Sequence, residues 1–335
     1  MLAERLWDLA GSDRFLDLPD FIAGSAVRLK LEGLNPAGSV KMKTARELIV
    51  DAEADGRLVA GSRLIESSSG SLGIALAAIA AAHGYALTII TDPNASHRSV
   101  QHMRALGARV EIVTQRDGNG GFLDTRLRLI NDRLAADPGL VWLNQYRNPA
   151  NPGAHRRHTY PEIVAECGDP DWLFVGAGTT GTLMGCLQAI KQRGAPTRLV
   201  GVDSGGSVTF GTRPGRRHIP GLGASVPPTL FTDDERLCKV QVDEVHAVRM
   251  CRRVAVERGI LVGGSTGSVL AAASAMAGAI GPGSIVVAIS PDLGERYLDT
   301  VYDDDWARAR FGSTVLDPDV PPSIRRIDAP AFAAA

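Results

Sequence analysis

Apolar and polar positions along the chain follow two rhythms that replace each other at regular intervals. Val27-Arg-Leu-Lys-Leu-Glu32 alternates with the period of a strand, and residues 41–54 then take helical spacing. From Arg63 onward short apolar runs predict strands at 64–65, 87–91 and 110–113, separated by helices at 73–83 and 96–106. Gly120-Gly121 precedes a longer helix over 122–136, which carries Arg126 and Arg128. A strand over 141–144 ends in Gln145-Tyr146, and 148–153 reads as a turn.

The second half repeats the scheme, with strands at 172–175, 199–202 and 285–289 and helices at 182–192, 243–258 and 268–279. Strands alternating with helices of this length imply right-handed crossovers and parallel sheets, hence an α/β fold with two parallel-sheet domains. The turn-rich stretch at 148–153 marks a domain boundary. Residues 1–24 read as an arm packed on the body or on a second subunit. The loop over 205–228 is long enough to be functional or mobile. Residues 313–335, with Pro318, Pro321, Pro322 and Pro330, read as an irregular tail.

Composition narrows the function. The chain has 335 residues, 44% of them hydrophobic, enough for two cores. With 36 basic and 37 acidic residues the net charge is -1, which gives nucleic acid or a membrane surface no handle. Small molecules are the expected partners. Four widely spaced cysteines suggest reduced packing residues, and no signal segment or membrane span is apparent, so a cytoplasmic location is expected. Among seven histidines only His155 and His158 are closely spaced, too few for a zinc site.

Chemistry concentrates in three turns rich in glycine and hydroxyls. Asn35-Pro-Ala-Gly-Ser-Val-Lys41 places a lysine just inside a helix start, where partial desolvation would favour a reactive amine; taken alone, Lys41 is better read as an ordinary solvated lysine. Glu66-Ser-Ser-Ser-Gly-Ser-Leu-Gly73 and Gly176-Ala-Gly-Thr-Thr-Gly-Thr182 each follow an apolar run and open a helix, which suits an anion held by backbone N–H groups. The last of these has two readings. With Asp203 about twenty residues on, it matches a dinucleotide fingerprint of a dehydrogenase or binding protein. It is also a cup for one phosphate, and that reading alone gives Lys41 and the serine turn a task, through pyridoxal phosphate.

Six ordered motifs carry a resemblance: the Asn35 turn, Ser68-Ser-Gly-Ser71, Asn148-Pro-Ala-Asn-Pro152, Gly178-Thr-Thr-Gly-Thr182, Pro220-Gly-Leu-Gly-Ala224 and Gly264-Ser-Thr-Gly267. Over residues 24–305 the chain resembles the cysteine synthase and cystathionine β-synthase family, pyridoxal phosphate enzymes of fold type II (tryptophan synthase β-like). Within it, Asp117-Gly-Asn-Gly-Gly-Phe-Leu-Asp-Thr-Arg126, Trp142-Leu-Asn-Gln-Tyr146, Gly206-Ser-Val-Thr-Phe-Gly211 and Pro291-Asp-Leu-Gly-Glu-Arg-Tyr-Leu-Asp299 are most similar to the N-(2-amino-2-carboxyethyl)-L-glutamate synthases of diaminopropionate pathways, which serve siderophore or antibiotic biosynthesis.

The resemblance implies roles. Lys41 would anchor pyridoxal phosphate covalently and later remove the Cα proton. Gly178, Thr179, Thr180, Gly181 and Thr182 would hold the phosphate, Ser71 would lie beside the ring hydroxyl, and Ser265 would face the pyridine nitrogen. Ser68, Ser69, Gly70 and Gln145 would grip the substrate carboxylate. The reaction implied is β-elimination of phosphate from O-phospho-L-serine to an aminoacrylate, then addition of the L-glutamate amine, with Arg126 and Tyr146 binding substrate. Cysteine synthesis from O-acetylserine or O-phosphoserine and sulfide is the alternative. A homodimer is a further implication, as is a division into a large cofactor domain, residues 1–40 and 147–312, and a small domain, residues 41–146, that closes over the substrate.

The chain departs from the family pattern in four respects. Ser71 stands for an asparagine, Met42-Lys43 for Asp-Arg, Gly178 for a serine and Tyr160 for a glycine. Lys43 is expected either beside the site, favouring an anionic leaving group, or on the surface. Arg126 and Tyr146 have plain alternatives too, a solvated helix face and simple packing.

Overall fold

The computed structural model of the protein describes residues 4–11, 13–118, 120–317 and 320–328. The first three residues, Asn119 of the motif at 117–126, and Pro318, Pro330 and the terminal alanines of the tail lie outside the described residues.

Along the chain, β1 (Phe15–Asp17) and β2 (Ala26–Leu31) precede α1 (Lys41–Ala54). There follow β3 (Arg63–Ser67), α2 (Ser71–His83), β4 (Ala86–Thr91), α3 (His97–Ala105), β5 (Arg109–Ile112), α4 (Leu123–Ala136) and β6 (Leu140–Trp142). Next come α5 (Ala150–Ala154), α6 (Tyr160–Cys167), β7 (Trp172–Gly176), α7 (Gly181–Arg193), β8 (Arg198–Ser204) and β9 (Leu237–Val242). The last elements are α8 (Glu244–Arg258), α9 (Gly264–Ala275), β10 (Ile285–Ser290), α10 (Asp304–Phe311) and β11 (Ile324–Asp328).

These elements form two compact units. The first comprises Met1–Gly11 and Asn35–Ala154. Its sheet, in the order β5-β4-β3-β6, is parallel throughout. Successive residues of β3 serve opposite faces: Leu64 joins the core under α1 and α2, and Ile65 packs with Ile90 and Ile130 of α4. Burial on both faces is why these strands read as short apolar runs rather than alternating ones.

The second unit comprises Ser12–Leu34 and His155–Ala335. Among the described residues its sheet runs β1-β2-β10-β7-β8-β9-β11, parallel except for the antiparallel edge pairs β1–β2 and β9–β11. In β7, Trp172 and Phe174 enter one core while Leu173 and Val175 enter the other. Each such fully buried side chain contributes about 2 kcal/mol of burial free energy.

The structure adds the buried strand β9, which the sequence reading does not contain, and departs from that reading at other points as well. The boundary falls at Ala154/His155 rather than 146/147, and residues 1–11 belong with the first unit. The expected turn at 148–153 is instead a helix start, because Asn148 Oδ1 accepts the N–H of Ala150 at 2.9 Å and so caps α5. Helix α9 begins at Gly264, not at 268, and is buried along nearly its whole length. A Cβ at Gly267 would lie 2.2 Å from the carbonyl oxygen of Ala247 in α8, so glycine lets the two helices touch. Finally, the tail is not irregular throughout: β11 pairs with β9, which the sequence reading missed.

Candidate active site

The lysine turn is closed by Asn35. Its Oδ1 accepts the N–H of Ala37 at 3.0 Å and its Nδ2 donates to the carbonyl of Ser39 at 2.9 Å. Gly38, at φ +64°, supplies the left-handed residue of the turn. Lys41 is thereby delivered as the first residue of α1, half-buried between buried Val40 and Met42. Lys43 is only 2% exposed, which removes the surface alternative.

In the same unit, β3 runs into the serine loop. Ser68 Oγ accepts the N–H groups of Gly70 at 3.3 Å and Gly73 at 2.9 Å. Both acceptor lone pairs of that hydroxyl are used, so what it offers a ligand is its proton. Ser69 is exposed, and Gly70 and Ser71 are half-buried at the start of α2. Helix starts present N–H groups to anions.

The residues after β6 are tied to this loop. Gln145 Nε2 donates to the carbonyl of Ser67 at 2.8 Å, and the Tyr146 hydroxyl lies 3.2 Å from Ser67 Oγ. Asn151 Nδ2 donates to the carbonyl of Gln145 at 2.8 Å, and Thr44 of α1 lies 3.4 Å from Asn151 Oδ1. Ser68, Gln145 and the helix that begins with Lys41 thus belong to one hydrogen-bonded set.

Arg126 is buried, not on a solvated helix face. Its Nε lies 3.3 Å from Asp92 Oδ2, yet neither Nε nor Nη1 makes a hydrogen bond among the described residues. Its charge reaches the Tyr146 phenol, whose pKa burial raises and Arg126 partly restores. The site thereby holds a guanidinium, a phenol and a hydroxyl donor, a set that suits carboxylate or phosphate oxygens.

The glycine turn lies in the second unit, between β7 and α7. Thr180, at φ +66°, caps α7, and a Cβ at Gly178 would stand 3.0 Å from the Gly221 carbonyl oxygen. A Cβ on Gly221 would in turn lie 4.0 Å from Ser265 Oγ. Gly178, Gly221 and Ser265 are therefore neighbours. Ser265, 3% exposed in the first turn of α9, makes no side-chain hydrogen bond among the described residues. Thr182 Oγ1 lies 3.2 Å from Nε2 of buried His155, in the π-helical turn His155–Thr159.

The loop over 205–228 is tied down. Arg217 Nη1 donates to the carbonyls of Gly206 and Ala224, both at 2.9 Å, and the Glu244 carboxylate accepts the N–H groups of His218 and Ile219 at 2.8 Å each. Asp203, which a dinucleotide reading would set on a ribose, is fully buried and accepts the N–H of Ser204 at 2.9 Å. Burial pushes its carboxyl up to about 6. A ribose cannot reach it, and the dinucleotide reading falls. Among the described residues no cluster of three or more histidine, cysteine or acidic side chains could hold a metal ion.

Known proteins bear on this arrangement. The family described as pyridoxal-phosphate dependent enzyme matches residues 11–292, and the chain belongs to it. N-(2-amino-2-carboxyethyl)-L-glutamate synthase of Ralstonia nicotianae is 39% identical over 322 residues, covering 94% of this chain and 95% of that one. Two crystal structures are similar in fold. O-ureido-L-serine synthase has a TM-score of 0.80 at 32% identity, over 93% of this chain and 96% of its own. The O-acetylserine dependent cystathionine β-synthase from Helicobacter pylori has a TM-score of 0.81 at 31% identity, over 90% of this chain and 98% of its own. The protein is a fold-type II enzyme whose cofactor is pyridoxal phosphate.

Glu66, Asp92, His155 and Arg217 contribute to the geometry and were not singled out by sequence reasoning as site residues. Only Glu66, which begins the serine motif, carries a local signal.

Proposed function

We propose that the enzyme replaces the phosphate of O-phospho-L-serine with the amine of L-glutamate, giving N-(2-amino-2-carboxyethyl)-L-glutamate. The Cβ–O bond breaks and releases phosphate, and a Cβ–N bond forms as the amine loses a proton. The named relative from Ralstonia nicotianae supports the product. The observation that carries the anionic substrate class is Arg126, a buried guanidinium with Nε and Nη1 outside any hydrogen bond, beside the Tyr146 phenol.

The residues fit the cofactor. Gly178, Thr179, Thr180, Gly181 and Thr182 would take the phosphate at the start of α7, and the unpartnered Ser265 hydroxyl would meet the ring nitrogen. Ser71 is assigned to the ring hydroxyl. Bound pyridoxal phosphate withdraws electrons from Cα of the amino acid. Lys41 holds the cofactor and moves the Cα proton, while Ser68, Ser69, Gly70 and Gln145 orient the α-carboxylate. A serine at 265, unlike a carboxylate, would not hold a proton on the ring nitrogen and so would favour early loss of the β-substituent.

We take the protein to be a cytoplasmic homodimer. Cys167, Cys186, Cys238 and Cys251 are buried and form no disulfide among the described residues, which suits a reducing compartment. Among the described residues no helix is long and apolar enough to cross a membrane.

The test is product mass and phosphate release from the cofactor-loaded enzyme with O-phospho-L-serine and L-glutamate, alongside Lys41→Ala. Equimolar phosphate and the expected adduct, both lost in Lys41→Ala, would support the reading. Turnover with sulfide but not glutamate would make it a cysteine synthase, and turnover by Lys41→Ala at the parent rate would remove the lysine from its role.

A further inference from the structure

Glu66, the last residue before the serine loop but one, is fully buried at the C-terminal end of β3. A buried carboxylate is costly unless its lone pairs are filled. Here they are filled by groups from two stretches. Oε1 accepts the N–H of Ser67 at 2.8 Å and the indole N–H of Trp142 at 3.0 Å; Oε2 accepts the N–H of Gln145 at 3.4 Å. One side chain therefore fixes the backbone on both sides of the groups assigned to the substrate carboxylate, the Ser68 hydroxyl and the Gln145 amide.

We propose that Glu66 is a positioning residue for amino-acid binding: its carboxylate draws Ser67, Trp142 and Gln145 together and so sets the distance between the serine loop and Gln145. This rests on the assignment of those two elements to the α-carboxylate.

The carboxyl of Glu66 has the means to report its own state. Burial pushes it up to about 7, against the pull of its N–H donors. On protonation one oxygen becomes a donor and a weaker acceptor, so its bond from the N–H facing it weakens. The titratable group nearest from the 144–146 segment is the Tyr146 phenol, with Arg126 of α4 and Asp92 after β4 behind it. A carboxyl at about 7 changes charge between about pH 6 and pH 8, while burial holds the Tyr146 phenol above its ordinary value.

The experiment compares the cofactor-loaded parent and Glu66→Gln, following phosphate release from O-phospho-L-serine at saturating amine. Glutamine keeps the size and one accepting oxygen but faces Gln145 with an amide NH2. Near pH 8 the KM for phosphoserine should rise roughly fivefold, one hydrogen bond's worth, with kcat within about twofold. Toward about pH 6 the two KM values should converge, since the parent becomes neutral at this position too. The substrate's own phosphate titrates near pH 6 in both assays and cancels in the ratio. Equal KM values at pH 8, or a ratio that stays constant with pH, would overturn the proposal.

Should the glutamine variant not fold, Trp142→Phe removes a single donor from Oε1. It should raise KM by a smaller factor and move the inflection of the KM profile to higher pH; an unmoved inflection counts against Glu66. Ser68→Ala separates this proposal from the reading beneath it. A KM insensitive to Ser68→Ala overturns the carboxylate assignment itself, whereas a KM sensitive to Ser68→Ala but not to Glu66→Gln overturns only the positioning role.

Discussion

Thr182 Oγ1 lies 3.2 Å from His155 Nε2, and the other ring nitrogen of this buried histidine lies 2.9 Å from Thr159 Oγ1. A ring held at both nitrogens cannot turn, so the Thr182 hydroxyl is held at the start of α7. His155→Leu leaves both threonine hydroxyls without that partner. The dissociation constant for pyridoxal phosphate should rise about five- to tenfold, on the scale of one buried hydrogen bond. Absorbance titration of the cofactor-free protein measures it, and an unchanged constant would remove His155 from the cofactor site.

Gly178 is predicted to be intolerant of a side chain. The ideal Cβ is 3.0 Å from the Gly221 carbonyl oxygen, so either the 176–182 turn or the facing loop must shift by a few tenths of an ångström. The facing loop is held by Arg217 and by the Gly223 N–H bonded to the Ala177 carbonyl at 2.7 Å. Gly178→Ala should therefore weaken cofactor binding several-fold, by about 1 kcal/mol. Parent-like affinity in that variant would mean that the loop yields freely.

Glu66 gives a stability prediction of definite sign. Its folded-state carboxyl titrates at about 7 against the ordinary 4.5, so between those values the folded chain holds a proton that the unfolded chain has released. Stability contributed by this group is full below pH 4.5 and is lost as pH rises to about 7, a swing of roughly 3 kcal/mol. Glu66→Gln lacks the swing. Urea unfolding at about pH 5 and about pH 8 should show the variant gaining on the parent with pH; a difference that does not depend on pH would contradict the burial cost.

The C-terminal strand should matter for solubility. Ending the chain after Pro322 removes β11 and exposes the edge of β9, all six residues of which are buried. Half-buried Ile324 and Ile327, which pack on the two cores, go with it. A loss of about 2–3 kcal/mol and association through the bared edge are expected. Calorimetry and light scattering read both, and an unchanged melting profile would count against them.

Much of this molecule is legible in its sequence, for a physical reason. Strands such as β7 and β10 are buried on both faces, so their apolar runs are unbroken, and the helices between them have room for full turns. The Asn35 turn is legible because asparagine, proline and glycine each do a distinct local job there. What stays hidden acts across distance. Glu66 meets Gln145 seventy-nine residues away, and His155 meets Thr182 at a separation of 27. No local rhythm marks such pairs. The start of α9 was lost for a different reason: Gly264, Ser265 and Gly267 are poor helix formers in isolation and are helical here because burial against α8 outweighs propensity.

The ties on the 205–228 loop have a thermodynamic consequence. A free loop of that length would have to be ordered each time a ligand arrived, and association would carry that entropy. Here Arg217 and Glu244 fix the segment carrying Gly221 through the protein's own backbone. The wall opposite Gly178 is ordered beforehand, so capture of a phosphate ester there should show the modest heat-capacity change of a preformed site rather than the large one of coupled folding.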